Sequence, residues 1–227
     1  MYRSNRELWF SFIVIVILTV LYLFMVVTLR EIPAASDFFG HMLGVLGFIL
    51  MLMTETLYSL RKRSRSARWG RMADWLQFHI FTGLVGPYMV LLHTSWKFNG
   101  LAGLVMLMTL IIVASGFIGR YIYTAIPRTA DGIEIEAVEL QRQIAVMETE
   151  LKRLEATQSA QITRAQRKHL KTLQRQRRAL VRQVASLAQA RRLMALWHAI
   201  HIPIGVALFT AAFVHMGAAL YYATLLR

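Results

Sequence analysis

Five apolar runs divide the chain, at about residues 8–29, 38–60, 74–96, 101–126 and 195–226. Each exceeds the roughly 18 residues that mark a helix able to cross a bilayer. The first run is longer than a signal-peptide core and has no small-residue cleavage site before Arg30, so it is expected to stay in the protein. Ser36 and Asp37 stand where an N-cap would start the second helix. Gly40, Gly44 and Gly47 then give that helix a small-residue face of the kind that lets helices approach closely in lipid. Lys97, Phe98, Asn99 and Gly100 do no more than turn the chain between the third and fourth runs, and Pro127 closes the fourth.

Between the fourth and fifth runs the chain turns polar and its period changes. Ile133, Ala137, Leu140, Ile144, Met147, Leu151 and Leu154 alternate spacings of four and three, the seam of a coiled coil. Residues 156–161 form a weak turn region. On the return arm Leu173, Leu180, Leu187 and Met194 recur every seven residues, with Leu170 and Val184 in a second row that Arg177 and Arg191 interrupt. The outgoing arm carries Asp131, Glu134, Glu136, Glu139, Glu148, Glu150 and Glu155, whereas residues 164–192 contain no acid. Acidic against basic favours antiparallel pairing of the two arms. No Gly or Pro separates the return arm from the last apolar run, so one continuous helix is compatible with both. The predicted fold is all-α, a polytopic membrane bundle of five transmembrane helices. Residues 1–127 hold helices one to four, 128–194 a cytoplasmic antiparallel coiled-coil hairpin, and 195–227 helix five, which completes the bundle. At ~1.5 Å per residue the hairpin would reach roughly 30–40 Å from the membrane.

Composition sharpens this picture. A hydrophobic share of 56% and a mean hydropathy of +0.47 exclude an ordinary soluble domain. Cysteine is absent, which excludes disulfides, an iron–sulfur cluster held by this chain and thioether-attached haem. The net charge of +14 concentrates beside apolar runs, in residues 61–71 and in the hairpin, where positive charge holds loops in the cytoplasm. Membrane topology therefore accounts for the charge, and no nucleic-acid partner is expected. Alternation of five helices places the N-terminus in the cytoplasm and the C-terminus outside, and a bacterial inner membrane is the expected location.

The chemistry lies in four histidines. His79 and His93 are 14 residues apart in the third run, and His201 and His215 repeat that spacing in the fifth. Fourteen residues place two side chains on one helix face about 21 Å apart. Helices three and five run in the same direction, and His79 and His201 each sit about one turn from the cytoplasmic end, so the two pairs match in depth. Two histidines on each of two helices can hold two haems stacked across a bilayer, because neutral imidazole nitrogen ligates haem iron axially. Gly83 and Gly86 lie close to the ligand face of helix three, and Gly205, Ala211 and Ala212 hold the equivalent place on helix five. Pro203 is expected to kink helix five near the inner site. The plainer alternative is that the histidines are polar residues satisfied between packed helices.

In these ligand pairs the chain resembles the ferric-reductase-like and NADPH-oxidase-like transmembrane domain, and more loosely other di-haem b-type cytochromes. The resemblance covers about residues 8–127 and 195–226. It implies two haem b groups, one held by His79 with His201 and one by His93 with His215, each iron ligated by two histidines. It further implies stepwise electron transfer from one side of the membrane to the other. The flavin and nicotinamide domains of such enzymes have no counterpart here, since the chain lacks a Gly-rich dinucleotide fingerprint. An electron-transfer subunit is expected rather than a self-contained enzyme, with a soluble or membrane redox protein as partner, the hairpin as a candidate dock, and quinone as a further candidate cofactor.

Two rival readings stay open: a quinone-reactive membrane anchor of an oxidoreductase, and a haem-free scaffold or signalling protein acting through its coiled coil. His198 is a candidate replacement ligand or a neighbour of a haem propionate or quinone, with an ordinary helix-interface position as the plainer reading. His41 is a candidate for a quinone or proton role, and His169 is expected in solvent. Arg120, Arg68 and Arg71 are candidate propionate partners by charge-assisted pairing. Trp69, Trp75, Trp96 and Trp197 stand at run ends, where interfacial anchoring accounts for them.

Overall fold

The computed structural model describes residues 5–63, 70, 72–125, 137–156 and 164–224, and among these the regular structure is entirely helical. The helices are α1 (Arg6–Leu29), α2 (Phe38–Arg63), α3 (Met72–His93), α4 (Gly100–Ala125), α5 (Ala137–Ala156) and α6 (Arg164–Thr224). Five of them, α1 to α4 and α6, are long and apolar enough to cross a membrane. The chain is an all-α integral membrane protein. Its exposed Trp9, Phe12, Phe24, Leu104, Phe117 and Val206 are then lipid-facing side chains that need no further burial.

Helix ends differ from the apolar runs where the backbone turns. α3 stops at His93, three residues before the run ends, because Ser95 and Trp96 take φ of 50° and 61°. Ser95 Oγ then donates to the Pro33 carbonyl at 2.6 Å, pinning this turn to the one between α1 and α2. Asp37 starts α2 in an unexpected way. Its carbonyl accepts the His41 N–H, while its carboxylate accepts the N–H of Ala34, upstream of the helix. The return arm and the last apolar run are one helix of 61 residues, α6. Pro87 and Pro203 both lie inside helices, each removing one backbone donor from the ladder.

Two compact units are present, Met1–Phe117 with Ala199–Arg227, and Ile118–His198. In the first, α2 and α3 pack antiparallel at a pair of glycines. A Cβ built on Gly47 would lie 2.8 Å from the Gly86 carbonyl oxygen, and one on Gly86 would lie 2.9 Å from that of Gly47. Small residues allow this approach in lipid, where packing and hydrogen bonds drive association. Thr54 Oγ1 donates to Thr82 Oγ1 at 2.7 Å across the same interface. α1 joins α3 through Thr19 and Tyr88, whose hydroxyls are 2.5 Å apart. Met51, Val105, Leu208 and Ala212 form a buried cluster among α2, α4 and α6, flanked by Phe48, Val90 and Phe209. Leu208, 1% exposed, lies seven residues from His201 and seven from His215. Leu208→Ala is expected to lower stability by about 2 kcal/mol, read as an earlier midpoint in an SDS unfolding titration. Lipid is as apolar as leucine, so the cavity term dominates and the transfer term is small.

The second unit contains α5, the end of α4 and the first half of α6. Leu140 and Leu151 of α5 are buried, as are Leu187 and Ala190 of α6. Arg177 Nε and Nη2 both donate to Glu148 Oε1, at 2.9 and 2.6 Å. Arg177, which interrupts the apolar row of the return arm, therefore meets an acid of α5. At Gly119 the indole of Trp197 occupies the space that a side chain would need. The boundary between the two units falls inside α4 and α6. The turn region 157–161, and Ile133 with the acids at 131, 134 and 136, lie outside the described residues.

Candidate functional site

α3 presents its two histidines to α2. His79 Nδ1 lies 3.0 Å from the Thr54 carbonyl oxygen, and His93 Nδ1 lies 2.7 Å from that of Gly40. A carbonyl oxygen can only accept, so Nδ1 must be the protonated nitrogen in both rings. Nε2 is then the lone-pair nitrogen, the one able to bind a metal. Metal-ligating histidines are commonly oriented in this way, by donating the other ring N–H to a backbone carbonyl.

The register behind these bonds is regular. His79 and His93 are 14 residues apart on α3, and their acceptors Thr54 and Gly40 are 14 apart on α2. In an antiparallel pair those two bonds share one register, and the Gly47–Gly86 approach is its midpoint, seven residues from each. The close glycine crossing thus sets both imidazoles at once. The His93 ring is also held by shape: a Cβ on Gly44 would lie 2.8 Å from its atoms Cγ and Nδ1.

On α6, His201 Nδ1 lies 2.5 Å from Ser115 Oγ of α4. Ser115 Oγ also lies 3.0 Å from the Ile112 carbonyl, to which it donates. This contact ties the His201 ring to α4 through Nδ1. His215 and His41 both lie within electrostatic range of His93. The Tyr58 ring leans on His79, with centroids 5.0 Å apart and planes at 54°.

Among the described residues no group of three or more His, Cys, Asp or Glu converges to hold a bare metal ion. Paired imidazoles suit a metal whose other ligands come from a macrocycle, as in haem. The donor set is of the kind such a group takes: the rings of His79 and His93 donate from Nδ1 and keep the lone pair on Nε2.

The remaining sequence candidates fall elsewhere. Gly83 and Gly86 lie on the face that meets α2, with Thr54 Cγ2 3.4 Å from a Cβ at Gly83, so their small size serves helix packing. His198 belongs to the second unit, donates from Nδ1 to the Met194 carbonyl of its own helix at 2.9 Å, and meets Trp197 edge-on. Arg120 is half-buried in that same unit, His169 is exposed, and Arg68 and Arg71 lie outside the described residues.

One residue was not singled out from sequence. Glu55, half-buried within the second candidate span, points a carboxylate oxygen to 3.9 Å from where a Gly205 Cβ would be. Gly205 is one turn beyond His201, so an acid stands near the level of His201. An acid inside an apolar run is itself the signal that could have marked it. The roles of Thr54 and Gly40 left no such signal, since both accept through backbone carbonyls. No family model, no curated protein and no solved structure matches this chain.

Proposed function

We propose that this chain is a di-haem b-type cytochrome subunit that passes electrons across the membrane, between a partner on the cytoplasmic side and one on the outer side. The supporting observation is the α2–α3 register, which ties His79 and His93 by Nδ1 to carbonyls spaced as the histidines are. In this reading His79 with His201 holds one haem b and His93 with His215 the other. Bound haem b supplies one-electron transfer at iron, and two histidine ligands leave it no open position for oxygen or substrate. The chain's own part is to orient the imidazoles of His79 and His93 through Nδ1 and to separate the two levels by the apolar cluster around Leu208.

The likeness to the ferric-reductase-like and NADPH-oxidase-like transmembrane domain rests on the histidine geometry and extends to no flavin or nicotinamide domain. The proposed orientation has the N-terminus in the cytoplasm and the C-terminus outside. α5 and the first half of α6 are read as a cytoplasmic antiparallel coiled-coil hairpin, supported by the Arg177–Glu148 ion pair and by buried Leu140, Leu151 and Leu187.

The test is a reduced-minus-oxidised spectrum and a haem-to-protein ratio on protein purified after expression with ample haem. About two haems b per chain are expected, with the spectrum of six-coordinate low-spin iron. A colourless protein overturns the reading. Ser115→Ala should leave both haems bound at first but speed loss of one to apomyoglobin, because losing the partner of a ligand's second nitrogen weakens metal affinity by about 10–100-fold.

A second reading, a quinone-reactive anchor, is favoured by His41. It is exposed on α2, beside Gly40 and within electrostatic range of His93, where a lipid-borne quinone has access. Quinol-dependent haem reduction that His41→Ala abolishes, with both haems retained, would support it.

A further inference from the structure

The first half of α6 has two unlike faces. Leu173, Arg177, Leu180, Val184 and Leu187 alternate spacings of four and three, and each is buried or half-buried. Arg177 on this face is already committed to Glu148 of α5. Lys168, Lys171, Arg175, Arg178 and Arg182 also alternate spacings of three and four, and all five are exposed. At ~100° per residue the five fall within an arc of roughly 80°, on the side opposite the apolar row. They make a cationic ridge about 21 Å long at ~1.5 Å per residue. None of the five pairs with a carboxylate among the described residues, and residues 164–192 contain no acid to neutralise them. Arg178 and Arg182, with Arg177 and Val181, also line a surface groove.

The choice of occupant follows from what the helix lacks. No Phe, Tyr or Trp occurs between residues 137 and 196, so there is no stacking platform for single-stranded nucleic acid. An amphipathic helix that binds a membrane surface sinks its apolar face into lipid. Here that face is turned inward, with Leu187 fully buried. A row of like charges on a rigid helix, with no acid among them, is complementary to an acidic protein surface, which it attracts and orients at long range.

We propose that the ridge Lys168, Lys171, Arg175, Arg178 and Arg182 docks the acidic face of a small soluble electron carrier. This deepens the cytochrome reading by naming the class of its cytoplasmic partner. The carrier in its reduced form would give one electron to the haem that His79 and His201 would hold and would itself be oxidised by one electron, with no proton or group transferred.

The test uses the full chain in nanodiscs of neutral lipid, with flavodoxin as the acidic probe and cytochrome c as its basic counterpart. Binding is read by interferometry at low salt, and haem reduction by stopped flow after mixing with reduced flavodoxin. Replacing the five residues by Gln is expected to slow flavodoxin association at least tenfold and to flatten its salt dependence. Replacing them by Glu should exchange the preference and create cytochrome c binding, a gain that a misfolded variant could not show. Flavodoxin binding that is absent in the native chain, or unchanged in both variants, overturns the proposal. Binding of duplex DNA, or of phosphatidylglycerol vesicles, that outcompetes flavodoxin at the ridge overturns it in favour of those ligands. Binding does not require haem, so a colourless chain that still binds flavodoxin through the ridge would fail the cytochrome reading alone. A haem-loaded chain that ignores flavodoxin would fail only the docking proposal.

Discussion

Replacing any one of His79, His93, His201 or His215 by alanine is expected to take the protein from about two haems b to about one, because an axial site with a single imidazole holds haem far less firmly. Paired substitutions carry the sharper information. His79→Ala with His201→Ala removes both ligands of one proposed site, so the double variant should keep about as much haem as either single one. His79→Ala with His93→Ala breaks both sites and should yield a colourless protein. The two patterns differ by a whole haem, well outside the error of a pyridine haemochromogen assay. If the same-site and cross-site doubles lose equal amounts, the pairing is wrong even though haem is bound. His198 enters the same experiment. Its Nδ1 is engaged with the Met194 carbonyl of its own helix, and His198→Ala should retain both haems. Loss of one haem in that variant, with His201→Ala unaffected, would move the inner ligand by one turn.

How much of this was visible without coordinates depends on whether side chains or backbone carry the information. The five spans are written in apolar runs, and the structure has a helix for each. α3 ends early because Ser95 and Trp96 adopt positive φ, which neither residue type announces. The absence of Gly and Pro before residue 203 left α6 free to run on as one helix, and it does. The equal spacing of the histidines was legible, but the partners that orient them were not. Thr54 and Gly40 accept through main-chain oxygens, which every residue possesses, so no pattern of side chains could single them out. Gly83 and Gly86 were read as room beside a cofactor. They share a face with His79, as the helical period requires, but that face meets α2, which a single helix cannot reveal. Glu55 was legible in principle, as an acid in an apolar run.

The α2–α3 register yields the prediction that separates local from shared control of the two sites. At Gly44 an added Cβ would press on the His93 ring at 2.8 Å, and nothing at the level of His79 is touched. Gly44→Ala should therefore cost the outer haem and spare the inner one, leaving about one haem b per chain. At Gly47 and Gly86 the obstacle is backbone, a carbonyl oxygen at 2.8 and 2.9 Å, which cannot swing aside as a side chain can. Gly86→Leu must then separate or slide the two helices. A slide of one residue shifts both histidines relative to Thr54 and Gly40 together, since both bonds belong to one register. Both haems should be lost or spectrally disturbed in that variant, although Gly86 lies seven residues from either histidine, about 10 Å at ~1.5 Å per residue. Circular dichroism should show helix content retained, because the spans are helical on their own in a membrane. Loss of one haem only would mean that the two histidine levels are held independently, and that the glycine crossing is simple packing.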